Sequence, residues 1–315
     1  MALRMGVREG RSVLRSLSHH GPVRLQKLFW PEGPNPAHAI LVHPPGAMAG
    51  GDRMDLHIHA EPGSGVVFTT PGAGKWYRAR ASASQHLHFQ VDEGACVEWM
   101  PQETLVHDGA RMHAETTWQL ACGARAAASD ILVFGRRQSG ERCADLDLRL
   151  DSRILIGERL VYLDPLALQT GAGQPSIDRQ LGGAAVMAGS HVSGVLWAYA
   201  PEFSSEGNFG AALTPLHDAL EAILAALEGS ASGMHCAEGE LCAPFVRTES
   251  PQKEPARQPR ASLAVGATRL PCGLVLVRVV GNDTEQVRER LQQAWGLLRP
   301  LLRARAAIVP RIWKT

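Results

Sequence analysis

Three carboxylates stand where a carboxylate is costly. Asp52 follows Gly50 and Gly51, Asp130 opens the apolar run Ile131–Phe134, and Glu158 interrupts the apolar stretch Ile154–Leu163. A charged group in such surroundings must be paired, hydrated or bound to a cation. Arg53, Arg136, Arg137, Arg153 and Arg159 lie close enough in sequence to be partners. The chemistry open to the three acids is therefore ion pairing or oxygen coordination of a metal.

Histidine supplies a second set. His57/His59 and His86/His88 are i, i+2 pairs, so each pair projects from one strand face and has the donors for a transition metal. Two ligands on one strand do not close a site, and the polar face of an amphipathic strand accounts for them better. The densest cluster of donors is His235-Cys236-Ala237-Glu238-Gly239-Glu240-Leu241-Cys242. It has no metal-site spacing and reads as a solvated loop.

Nucleotide and nucleophile chemistry fail on spacing. Gly72-Ala73-Gly74-Lys75 is not a phosphate loop, because Thr69 stands where the first glycine is needed and Trp76 where Ser or Thr must follow the lysine. No G-x-S-x-G elbow occurs, and Ser64 lies in a Gly63-Ser64-Gly65 turn. Trp99 and Trp313 read as core or interface anchors.

What remains is rigid backbone beside polar groups. His43-Pro44-Pro45-Gly46, the stretch carrying Lys75, Tyr77 and Arg78, the pair Glu98-Trp99 and the terminal Arg311 and Trp313 suit binding or structural motifs better than turnover.

The elements that must position these residues are mostly strands. Leu56 and Ile58, then Leu87, Phe89 and Val91, then Leu146, Leu148 and Leu150 alternate with polar residues, which predicts strands with one buried face. Leu274–Val280 is apolar except for Arg278 and predicts a more buried strand. Helical spacing is clear twice. Thr214 and Pro215 open a stripe ending at Gly229, and Asp283 with Gln286 caps a stripe of Val287, Leu291, Ala294, Trp295 and Leu298 before Pro300. No internal repeat stands out.

Composition narrows the class. With 32 Lys+Arg against 31 Asp+Glu over 315 residues, the net charge of +1 argues against a nucleic-acid footprint. Six cysteines without a C-x-x-C pair fit reduced thiols in a cytoplasmic protein. No apolar run reaches the ~18 residues of a membrane span. Met1–His20 has a superficial transit-peptide composition but no apolar signal core.

Taken together, Pro31-Glu32-Gly33, His43-Pro44-Pro45-Gly46 with Gly51-Asp52, Thr70-Pro71-Gly72-Ala73-x-Lys75-x-Tyr77-Arg78, Glu98-Trp99-Met100-Pro101-Gln102-Glu103 and Pro310-Arg311-Ile312-Trp313-Lys314-Thr315 resemble the urease accessory protein UreD family, also called UreH. The resemblance runs from about Gly21 to Thr315. It implies a non-enzymatic chaperone in the maturation of a nickel enzyme, acting with a UreF-like helical protein and a UreG-like GTPase on apo-urease. It implies no permanently bound cofactor, only nickel in transit, and no membrane or nucleic-acid partner. Positions matching Asp52, Asp130 and Glu158 would line a water-filled passage for nickel. Family members begin with an extended strand that Met1–Gly10 does not match, so an edge strand is expected to be missing.

The expected fold is mainly β, an elongated β-helix-like stack of strands with two flanking α-helices; the stacking itself is implied by the resemblance. It forms a single domain over 1–315, with a variable N-terminus at 1–20 and a mobile loop at 245–262. The expected function is a scaffold and nickel conduit for urease. The alternatives are a hydrolase on a β scaffold, or a pure adaptor with no metal path.

Overall fold

The computed structural model of the chain describes residues 1–183, 186–204, 218, 220–222, 225 and 263–314. The loop expected at 245–262, the His235–Cys242 cluster and most of the helix expected at 214–229 lie outside the described residues. Within that helix, Asp218, Leu220, Glu221, Ala222 and Ala225 are helical, and Leu220 packs on the core.

Strands dominate, and they stack as a β-solenoid of about three turns. Each turn passes from one sheet to the other. The strands β4 (Ala37–Val42), β6 (Gly65–Thr69), β9 (Cys96–Trp99) and β12 (Arg125–Phe134) are parallel neighbours on one side. The strands β5 (Arg53–Ala60), β8 (Ala83–Val91), β11 (Ala110–Leu120) and β13 (Leu146–Ile156) are parallel neighbours on the other. Short strands β7 (Gly74–Trp76) and β10 (Thr104–Val106) fill the corners between them.

Gly65, Cys96 and Arg125 stand in register, so successive turns take 31 and 29 residues. Nothing in the sequence repeats at that spacing. What repeats is the inward-facing side chain. Ile58, Phe89, Trp118 and Ile154 are aligned across four strands and are all buried, with the Phe89 and Trp118 rings stacked 3.8 Å apart. A parallel ladder places each side chain on its counterpart in the next turn, so apolar inner faces bury one another.

Both sheets are completed by further strands, most of them antiparallel. β14 (Arg159–Gln169), antiparallel to β13, and β1 (Ala2–Arg8), parallel to β5, with β2 (Arg11–Ser18) antiparallel to β1, extend the β5/β8/β11/β13 sheet to seven strands. β15 (Val192–Tyr199), β16 (Ala264–Arg269), β17 (Leu274–Gly281) and β3 (Arg24–Leu25) extend the β4/β6/β9/β12 sheet. The short helix α1 (Ile177–Leu181) follows β14 and buries Ile177 and Leu181.

The long helix α2 (Thr284–Arg303) lies on the outer face of the sheet that holds β12, β15 and β17, burying Val287, Leu291, Ala294, Trp295, Leu298 and Leu302. Asp283 caps it by accepting from the Glu285 and Gln286 amides. Gly194 of β15 makes the close approach possible, because a Cβ there would fall 2.7 Å from Val287 Cγ1 and 2.8 Å from Leu291 Cδ1.

Three expectations need correction. The N-terminus does not lack an edge strand: β1 pairs with both β5 and β2, with Leu3 and Met5 buried and Ala2 and Arg4 exposed. That short alternation is enough, because β5 offers an open edge. The second helical stripe does not stop before Pro300. The helix continues to Arg303, whose Nη2 donates to the Cys96 carbonyl at 2.6 Å, and the left-handed Ala304 then ends it. Glu158 does not interrupt a strand but occupies the two-residue turn between β13 and β14, after Gly157 at φ 59.

Candidate functional site

The inner space between the sheets is not apolar throughout. Alternation along β12 points Asp130 the same way as Ala128 and Leu132, whose side chains pack into separate core clusters. Asp130 thus lies between the sheets, closely surrounded by protein, yet it keeps solvent-accessible surface. Water reaches it there. Enclosure pushes its pKa up to about 6; a backbone hydrogen bond at Ile131 opposes this, and the Asp164 charge reinforces it. Among the described residues no arginine or lysine pairs with Asp130.

Across from it, β14 supplies Asp164 and Tyr162, and β17 supplies Arg278. Arg278 Nη2 donates to Asp164 Oδ2 at 2.7 Å and to the Tyr162 hydroxyl at 2.6 Å, tying the two sheets together. The Tyr162 hydroxyl also donates to Asp164 Oδ2 at 2.9 Å. Burial, then the Asp164 charge, raises the Tyr162 pKa. Half-buried Thr116 and Ser152 are in register with Asp164 and line the same layer. The interior therefore holds apolar packing at both ends and, between them, a polar layer with solvent-accessible surface. Such a layer can hold water and, through Asp130, a cation.

Asp52, Asp130 and Glu158 are not brought together. Asp52 is exposed in the turn before β5, where its Oδ2 accepts from the Ala49 amide at 2.8 Å. Glu158 is exposed after β13. β5 and β13 run parallel in one sheet, so these two acids sit at opposite ends of the strands, roughly 30 Å apart along them at about 3.3 Å per residue. Asp130 lies between those levels on the facing sheet.

His43-Pro44-Pro45-Gly46 forms a tight turn, with the Gly46 amide donating to the His43 carbonyl at 2.8 Å. Burial lowers the His43 pKa, while the nearby Asp52 charge raises it. Lys75 lies in β7; Tyr77 meets the His107 ring edge-on at 4.9 Å, and Arg78 pairs with Asp108. Trp99 reaches the core from β9, 5.2 Å from the Phe89 ring. Arg311 is exposed, and Trp313 Nε1 donates to Thr69 Oγ1 at 2.6 Å, which ties the C-terminal turn to β6. The His57/His59 and His86/His88 pairs lie on the outer face of the seven-stranded sheet, with His59 held by Asp92 and His86 by Asp55.

Glu98 is part of a buried charge network. It is fully enclosed and accepts from Trp295 Nε1 at 2.8 Å, Arg299 Nε at 3.0 Å and Arg299 Nη2 at 3.1 Å, and it pairs with Arg303 Nε at 2.7 Å. Arg299 also reaches both oxygens of Glu32, whose Oε1 contacts His38 Nε2 at 2.6 Å. Burial pushes Glu32 upward, but the His38 and Arg299 hydrogen bonds and the Arg299 charge outweigh it and bring the pKa down to about 2.

Sequence reasoning did not find Arg299, Arg303, Asp164 or Tyr162. Two signals were present. Arg278 is the one polar residue in an apolar strand, and Arg299 falls four residues after Trp295 on the buried stripe of α2.

The architecture is that of a β-solenoid with a water-accessible, acidic interior. The sequence profile of the UreD urease accessory protein family matches residues 1–314. A protein of Delftia acidovorans called urease accessory protein UreD is 34% identical over 323 residues, covering 99% of this chain and 93% of its own length. Its namesake in Dechloromonas aromatica is 35% identical over 306 residues, with 97% and 90% covered, and that of Bordetella pertussis is 30% identical over 308 residues, with 97% and 93% covered. The chain belongs to the UreD urease accessory protein family.

Proposed function

We propose that this protein serves urease maturation as a non-catalytic cytoplasmic chaperone, holding a UreF-like protein and a UreG-like GTPase on apo-urease while nickel passes through its hydrated interior. Family membership supports the role in urease maturation. The observation that carries the conduit reading is Asp130, a carboxylate that no arginine or lysine pairs with among the described residues, facing Asp164 in a layer that water reaches. An oxygen donor without a closed Cys/His cage binds a divalent ion weakly enough to release it onward. Asp52 and Glu158, at opposite ends of the strands, serve in this reading as surface acids towards which nickel is drawn.

The test is urease nickel content in cells carrying wild-type protein, a deletion, or Asp130→Asn, together with pull-down of the accessory proteins and urease. The conduit reading expects metal-poor urease in the deletion and reduced nickel with intact complexes in Asp130→Asn. Fully active urease in the deletion under limiting nickel would end the maturation role. Normal nickel loading in Asp130→Asn would leave an adaptor without a metal path.

A further inference from the structure

We propose a divalent transition-metal site on the outer face of the seven-stranded sheet, formed by His113 and Glu115 of β11 and Asp151 of β13. It is separate from the hydrated interior and does not rest on the conduit reading. His113 and Glu115 are two residues apart on one strand and so share a face, and Glu115 stands in register with Asp151 on the next strand. A nitrogen of His113 and one carboxylate oxygen from each acid all lie within 4.8 Å of one another. All three residues are half-buried.

The electrostatics favour a cation. Glu115 and Asp151 face each other across the ladder, an arrangement that destabilises a sheet when both carry the same charge. Their relief within the protein is slight. His113 Nε2 lies 3.5 Å from Glu115 Oε1. Arg149 and Arg153 flank Asp151 on its own strand, and among the described residues neither pairs with it. A divalent ion between the three donors would cancel the repulsion.

The surroundings extend the same chemistry. Parallel register aligns Asp55, His86, Glu115 and Asp151 in one row across β5, β8, β11 and β13. The His86 ring meets His113 edge-on at 6.4 Å, and its Nδ1 lies 2.9 Å from Asp55 Oδ1. One imidazole with two carboxylates suits a first-row ion such as Zn(II), Ni(II) or Co(II) better than Mg(II), which prefers an all-oxygen shell. Bonds of about 2.0–2.2 Å place neighbouring donors about 3.4 Å apart, so half-exposed side chains separated by up to 4.8 Å need close by at most about 1.4 Å. Three protein ligands leave at least one position for water or an incoming ligand.

The experiment titrates Co(II) into the metal-stripped full-length chain and follows visible ligand-field absorption and bound metal by dialysis. Zn(II) is the competitor and Mg(II) the control. Wild type is compared with His113→Ala, with His113→Ala/Asp151→Asn, and with Asp130→Asn. The expected result is about one more Co(II) per wild-type chain than in the double variant, with bands that Zn(II) displaces and Mg(II) does not. His113→Ala should bind at least about tenfold more weakly, a loss that even outer-shell changes commonly bring. Asp130→Asn should retain the bands, whatever it does to urease loading. Circular dichroism of each variant should match wild type, because the three ligands lie outside the core. Equal stoichiometry and spectra in wild type and the folded double variant would overturn the site, as would displacement by Mg(II).

Discussion

Arg299 and Glu98, 201 residues apart in sequence, are both fully enclosed and meet through Arg299 Nε and Glu98 Oε2 at 3.0 Å. The pair fastens the last turns of α2 to β9, and the same guanidinium continues to Glu32 near the start of the solenoid. Two carboxylates share one arginine, with Arg303 and Trp295 satisfying the remaining oxygens of Glu98. Such a network is stable only when every member is present.

Arg299→Ala is therefore expected to destabilise the protein by about 3–5 kcal/mol, because it strands two buried carboxylates. Urea unfolding followed by tryptophan fluorescence measures this. A loss below about 1 kcal/mol would mean that the network contributes no more than a surface ion pair.

Acid should undo the Glu32 contact in a defined window. Its carboxyl titrates near 4.5 when unfolded and at about 2 when folded. A depressed folded value means that the contribution is fully present above 4.5 and is lost as pH falls towards about 2. The difference corresponds to on the order of 3 kcal/mol. The stability gap between wild type and Glu32→Gln should hold from pH 7 to 5 and narrow steadily from pH 4.5 to 2. A gap independent of pH would show that Glu32 acts through shape and not charge.

The stacked pair in the solenoid core gives a third expectation. Trp118→Ala removes the partner of Phe89 from a fully buried ladder and should cost about 3–5 kcal/mol. Because Trp118 also meets the Trp197 ring at 4.8 Å, the packing of both sheets should loosen together. Near-ultraviolet circular dichroism and thermal melting should change in parallel.

Asp130 should behave in the opposite way. Enclosure disfavours its charge, and no arginine pairs with it among the described residues, so Asp130→Asn should leave stability unchanged or raise it at pH 7. Thermal melting of the purified variant checks this beside the nickel measurements. A pronounced loss of stability would show that the carboxylate is structural.

Alternation at Leu56–Ile58, Leu87–Val91 and Leu146–Leu150 was enough to place β5, β8 and β13, because a strand with one buried face writes period two directly into the chain. The Asp283 cap and the stripe from Val287 to Leu298 likewise located α2, and the ordered motifs from Pro31 to Trp313 carried the family. The sequence alone did not determine which side chains meet. Arg299 with Glu98, Arg278 with Asp164, and Glu115 with Asp151 are joined across 201, 114 and 36 residues. Their contacts depend on solenoid register, set by apolar inner faces stacking turn upon turn. Register also decided that Asp130 faces inward to water while Asp52 and Glu158 stay on turns. The charge of a residue is local, but its cost depends on what the fold places around it.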